Sequence, residues 1–290
     1  GISMSGQLCL QGSELSDNTV KQVRATADSN RISVGTSAIG GGAAVSGTAI
    51  VQPSFSSGYI PIGGLFSPGN ENCLTGPQVK NIVSTEFEEA AAALAGNPAG
   101  LDVIVSKVTG NSAVVTADIE DYDGEASGFA ALGGGIASFA REQPGSTQSK
   151  YGGVTLFQAI VAGNEASVVV TNSATTDARP KYSVSAGGGV FAGADFNTDS
   201  QGFLAVKYSE VRDNTVVLDG LGAVRNLAMG GGLATSNSDL LQAMAAGSGW
   251  LAGEADAPDS GDGVADVTLF ASVVSGNTVQ LTTLVSNVPE

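Results

Sequence analysis

Histidine is absent from the sequence, only 14% of the residues are charged, 6% are aromatic and there are two cysteines. Without histidine the chain lacks the commonest general base near neutral pH and the commonest transition-metal ligand, which weakens most hydrolase and metalloenzyme readings. Twelve basic residues against 28 acidic ones leave a formal charge of −16. That sign repels phosphate backbones and anionic headgroups, so nucleic acid is not an expected partner. No apolar run approaches the roughly 20 residues needed to span a bilayer as a helix. Cys9 and Cys73 match neither a metal-ligand cluster nor a Cys-x-x-Cys redox motif. The chain opens at Gly1 with neither a Met nor a signal peptide, which reads as a mature or excised segment.

What the chain has instead is glycine, 41 of 290 residues, with abundant Ser, Thr, Ala and Val. This composition suits many short strands joined by tight turns and suits long helices poorly. A hydrophobic fraction of 42% argues against a disordered low-complexity chain. At this length a lone globular core would usually split, so either two domains or a stack of repeats is expected.

A nine-residue pattern decides for the stack. An apolar residue, four variable positions, a second apolar residue, one spacer, Gly or Asp, and then Asn recurs as LQGSELSDN, VIVSKVTGN, LFQAIVAGN, VKYSEVRDN and LFASVVSGN. These copies end at Asn18, Asn111, Asn164, Asn214 and Asn277, and short β-prone runs follow. Each Asn is therefore expected at an equivalent corner between strands, where Asn and its Gly or Asp neighbour tolerate left-handed backbone. A second element, Gly-Gly-Gly, is centred on Gly41, Gly134, Gly188 and Gly231 and follows the first four Asn residues by 22, 22, 23 and 16 positions. Those offsets suggest one coil of roughly 20–25 residues, and the Asn-to-Asn distances of 50 to 63, leaving out the first, which holds an insertion, then suggest two coils per repeat. The triplets lack a following Gly-Lys-Ser/Thr and lead into apolar runs, so a phosphate-cradling loop is not the expectation.

The expected fold is all-β: one right-handed parallel β-helix over residues 1–290, with two insertions at about 53–99 and 236–262. A capping box, Thr85-Glu86-Phe87-Glu88, opens a predicted helix running to Leu94 in the first insertion. The second holds a short helix near Leu240 to Ala246 and the single Trp250. Stacking is obligatory for such a chain, because one coil cannot bury its apolar face alone.

The alternation of apolar-x-x-Asn with Gly-Gly-apolar resembles the repeat of the chlamydial polymorphic outer membrane proteins. This chain carries Leu15, Val108, Val161, Val211 and Val274 where that family usually has Phe. The resemblance implies a β-helical passenger or adhesin domain and carries over no catalytic residue. It leads us to expect an extracellular or cell-surface structural or adhesive module, a fibre or filament subunit among the options, with protein or glycan partners. The alternative is a carbohydrate-active β-helix, a polysaccharide lyase or hydrolase; but the twelve basic residues are scattered and no Arg/Lys/Asp set recurs on one face. No catalytic function is expected.

Two acidic clusters have the residue types that calcium prefers: Asp118, Glu120, Asp121, Asp123 and Glu125, and separately Asp256, Asp259, Asp262 and Asp266. The second lacks one position of a calcium-binding aspartate repeat, and solvated acidic turns are the simpler account of both. No cofactor other than calcium is expected. For an exported chain, Cys9 and Cys73 are expected to form a disulfide tying the first insertion to the first coil. Neither end shows a polar capping repeat, so further sequence or self-assembly through the solenoid ends is expected to cover the exposed strand edges.

Overall fold

The computed structural model describes residues 1–5, 7–25, 36–47, 98–119, 129–140, 150–172, 183–194, 200–220, 226–236 and 266–283. Among these residues the regular structure is entirely β, and every strand pairing is parallel. The first layer of chain contains β1 (Ile2–Ser5), β2 (Gln7–Gln11), β3 (Glu14–Ser16), β4 (Thr19–Ala25) and β5 (Thr36–Ile39). The second contains β6 (Ala43–Gly47), β7 (Pro98–Ile104), β8 (Lys107–Thr109), β9 (Ser112–Ile119) and β10 (Phe129–Leu132). The third repeats the order with β11 (Ile136–Ala140), β12 (Lys150–Phe157), β13 (Ile160–Ala162), β14 (Glu165–Asn172) and β15 (Ser183–Ala186). The fourth has β16 (Val190–Ala194), β17 (Ser200–Lys207), β18 (Glu210–Arg212), β19 (Thr215–Gly220) and β20 (Asn226–Met229). In the fifth the described strands are β21 (Leu233–Thr235), β22 (Asp266–Phe270), β23 (Val273–Ser275) and β24 (Thr278–Thr283).

Corresponding strands of successive layers pair without slippage, so the chain builds five stacked sheets. Sheet one is β1-β6-β11-β16-β21, sheet two β2-β7-β12-β17-β22 and sheet three β3-β8-β13-β18-β23. Sheet four is β4-β9-β14-β19-β24, and sheet five is β5-β10-β15-β20. The local sequence explains the facing of each strand. In β9, Ala113, Val115 and Ala117 are buried while the alternating Val114 and Thr116 are only half-buried, the period of two that a strand imposes.

Two apolar clusters run through the layers. One joins sheets one, two and three through Ile136, Val190, Val103, Leu156, Val108 and Val161. The other lies between sheets four and five, with Val115, Val168 and Leu218 against Phe129 and Ala131. The opposite faces of sheets five and one contribute a third cluster with Leu132, Val184 and Phe191. Burial at this scale contributes about 25 cal/mol per Å² of apolar surface and dominates the stability of the stack.

The expected two coils per repeat are corrected by the register. Val161 pairs with Val108 on one side and Val211 on the other, so adjacent layers are one whole repeat apart. A repeat is one layer. The Asn and Gly-Gly-Gly motifs are thus two places within the same circuit, and their offset of about 22 residues measures only part of a layer. The expected helices at 86–94 and 240–246 lie outside the described residues, as does most of both insertions; β7 already begins at Pro98, inside the expected first insertion.

Candidate functional site

The five repeat asparagines form one column along the stack. The backbone N–H of Asn111 donates to Oδ1 of Asn164 at 2.9 Å, and Nδ2 of Asn111 donates to the same oxygen at 3.0 Å. Asn164 repeats both bonds to Oδ1 of Asn214, at 3.0 and 2.8 Å, and Asn214 repeats them to Asn277 at 3.0 and 2.9 Å. Asn18 opens the series on Asn111 at 3.0 Å. The second amide hydrogen is also used: Nδ2 of Asn164 donates to the Val108 carbonyl and Nδ2 of Asn214 to the Val161 carbonyl, each at 3.0 Å. Asn111, Asn164 and Asn214 are fully buried, where an unmet amide is costly, and the column satisfies them.

The left-handed corner expected at this motif belongs to the residue before each Asn. Asp17, Gly110, Gly163, Asp213 and Gly276 have φ between 54° and 67°. In Arg212 the exposed guanidinium reaches Oδ2 of Asp213 at 2.8 Å and Oε1 of Glu210 at 2.6 Å. Its pKa is raised, chiefly by the hydrogen bond to Asp213 and then by the charge of Glu210.

The Gly-Gly-Gly runs sit at the bend from sheet five to sheet one, and they face the asparagine column across the interior. A side chain at Gly135 would lie 3.0 Å from Cγ of Asn164, and one at Gly189 would lie 3.0 Å from Cγ of Asn214. The middle glycines are closer still. At Gly41, Gly134, Gly188 and Gly231 an added Cβ would collide with the backbone of Ser112, Glu165, Thr215 and Thr278, each the residue after an Asn of the column. The first glycine of each run, exemplified by Gly133 at φ 64°, supplies the left-handed turn.

A second polar column escaped the sequence reading. Ser106 Oγ donates to the Ile104 carbonyl at 2.8 Å and accepts from the N–H of Ser13 at 3.0 Å. Ser209 Oγ accepts from Ala159 N–H at 3.1 Å, and Ser272 Oγ from Ser209 N–H at 3.1 Å. The signal was present as Ser at the fourth place of four motif copies, with Ala159 as the exception. The preceding place, Gly12, Val105, Gln158, Tyr208 and Ala271, is left-handed in every layer although no residue type repeats there.

Of the candidate calcium ligands, Asp259 and Asp262 lie outside the described residues, while Asp266 opens β22 opposite Phe203. In the other cluster Asp118 pairs with Thr171 in sheet four, and Glu120, Asp121, Asp123 and Glu125 lie outside the described residues. Among the described residues no group of three His, Cys, Asp or Glu side chains is gathered. Cys9 stands in β2 opposite Asp102; Cys73 lies outside the described residues, and the expected disulfide with it.

Among the described residues, most of the exposed large apolar side chains belong to layer five. Val267, Leu269, Val279 and Leu281 are 46, 52, 44 and 52% exposed, whereas their register partners Leu204, Val206, Val216 and Leu218 are at 0%. Phe270 closes an aromatic file down this side: Phe157, Tyr208 and Phe270 meet edge to face at 5.9 and 5.4 Å, with the buried Lys207 ammonium 5.6 Å from the Phe270 ring. The arrangement offers layer-to-layer adhesion through aligned side chains. In comparisons with known proteins the chain matches no family model, no curated protein and no solved structure.

Proposed function

We propose that the layers close into a right-handed parallel β-helix whose role is structural or adhesive, at the cell surface or outside the cell. One observation carries the reading: the residues the repeat keeps identical are spent on holding layer to layer. Asn111, Asn164 and Asn214 are buried with both amide groups engaged, and the middle glycines admit no side chain. A repeat that invests its invariant chemistry in the interior builds length and leaves the outward positions free to vary. Such a surface suits protein or glycan partners, and the −16 charge directs it away from other polyanions.

The test is a paired assay on the purified 290-residue chain: retention on arrays of glycans and extracellular proteins, and turnover of acidic polysaccharides. Saturable retention without turnover supports the reading. Reducing-end or unsaturated-sugar release, abolished by replacing an Asp or Lys, would overturn it in favour of a carbohydrate-active β-helix.

A further inference from the structure

We infer that the outer face of sheet three in layers two to four, with the corner that leads into it, binds a neutral sugar: a pyranose ring set against Tyr208, with two adjacent hydroxyl groups between Glu210 and Arg212. This site rests on the adhesive reading above and gives it a ligand class and a place. In each of these layers the chain is described without a break from sheet two through sheet four. Layers one and five flank the patch on either side, so it depends on neither end of the chain.

The ring is exposed and held. At the corner between sheets two and three, layers two to four carry Val105, Gln158 and Tyr208, each left-handed and each exposed. Tyr208 is 42% exposed and is the one aromatic residue at this corner in the five layers. Phe157 from the layer before and Phe270 from the layer after meet it edge to face at 5.9 and 5.4 Å. A ring fixed in this way loses little conformational freedom when a ligand settles against it. Its apolar body and polar tip suit the C–H face and the hydroxyls of a sugar.

Planar polar groups stand around it. Gln158 lies beside Tyr208 one layer earlier, and Glu210 follows it by two residues at the start of β18. Register sets Ile160 beside Glu210 and Ala162 beside Arg212, so an apolar floor adjoins the charged pair. Nε of Arg212 donates to Oε1 of Glu210 at 2.6 Å, and Nη1 donates to Oδ2 of Asp213 at 2.8 Å. Oε2 of Glu210 and Nη2 of Arg212 have no partner among the described residues. An acceptor and a donor thus stand side by side, as two neighbouring sugar hydroxyls require.

Charge and size select the ligand. Lys107 and Arg212 are offset by Glu210 and Asp213 within the patch, and the chain as a whole carries −16, so neither field draws an acidic sugar. From Tyr208 to Arg212 is roughly 13 Å at most, and layers two to four span about 10 Å. That footprint fits one or two sugar rings. It falls far short of the ~800 Å² per partner of a stable protein interface.

The experiment is saturation-transfer NMR and isothermal titration of the whole chain with lactose, cellobiose and chitobiose, and with digalacturonic acid as the charged control. At least one neutral sugar is expected to bind through the C–H protons of one ring face, and digalacturonic acid is expected not to bind. Tyr208→Ala should weaken binding about tenfold. Because that change also removes the contacts to Phe157 and Phe270, Glu210→Gln is the second variant, expected to weaken binding about fivefold at an unchanged circular-dichroism strand signal. Lys21→Ala, on sheet four of the first layer, should leave binding as in wild type. No binding of any of the three neutral sugars, binding that both variants retain, or tighter binding of digalacturonic acid overturns the site. Retention of an extracellular protein through Tyr208 with no sugar bound overturns it in favour of a protein partner. Amide hydrogen exchange separates the site from the reading beneath it: slow exchange in the middle layers without sugar binding leaves the layered scaffold standing, whereas uniformly fast exchange sinks both.

Discussion

Nδ2 of Asn164 donates to Oδ1 of Asn214 at 2.8 Å, and neither group reaches solvent. Because the same oxygen also receives the Asn164 N–H, each asparagine binds two donors of the layer before it. Asn164→Ala removes the acceptor for Asn111 and the donor to the Val108 carbonyl, leaving buried groups unmet. A loss of about 2–4 kcal/mol is expected from such orphaning. Asn18→Ala, at the half-buried start of the column, should cost roughly 1 kcal/mol or less, and urea titration of the two variants compares them directly.

Two glycine substitutions separate crowding from backbone strain. Gly163 is left-handed at φ 64° but has open space, the nearest neighbour of an added Cβ being 4.0 Å away. Gly163→Ala should cost about 1–2 kcal/mol, the penalty of a left-handed non-glycine residue. At Gly134 the Cβ would strike the backbone of Glu165 and Gly188, neither of which can turn aside. Gly134→Ala should therefore prevent layers two and three from seating, read as loss of soluble, strand-rich protein.

The serine column can be completed. Register places residue 159 beneath Ser106, where every other layer carries Ser and this one carries Ala. In Ala159→Ser the new hydroxyl can accept from the N–H of Ser106, as Ser209 Oγ does from Ala159. The expected gain is about 0.5–1.5 kcal/mol, measured as a higher denaturation midpoint; a loss would show that the site has no room for the oxygen.

Core truncation should depend on layer. Leu204 is at 0% exposure and its neighbour in the next layer, Val267, is at 46%. Leu204→Ala should cost about 2–5 kcal/mol through transfer and cavity terms. Val267→Ala should cost about 1 kcal/mol or less in dilute solution, because much of that side chain is already wet. Equal losses at the two sites would contradict the difference in burial.

The asparagine and glycine columns were legible because each corner restricts residue type, by hydrogen-bonding geometry in one case and by lack of room in the other. The length of a layer was misjudged for a physical reason. Asn164 and Gly135 meet across the interior, so the sequence distance between motif types spans part of a circuit, and the two motifs looked like successive corners of a shorter coil. The left-handed corner at Val105, Gln158 and Tyr208 leaves no mark, since their side chains are exposed and the backbone hydrogen bonds between layers, such as Val105 N–H to the Phe157 carbonyl, hold a conformation those residues would not choose. Buried Asp102 and Lys207 likewise look like surface residues in a strand pattern.

The parallel register has a mechanical consequence. Strands run across the stack, so the bonds between layers point along it, and a pull applied between the first and last layers loads them one layer at a time. Such a molecule yields by peeling at one end instead of shearing throughout. The shortest layer, with 50 residues from Asn164 to Asn214, would release roughly 170 Å of extended chain before the next begins to carry load, and longer layers would release more. Under such a pull the stack would lengthen in steps, layer by layer, while the layers not yet loaded keep their pairing.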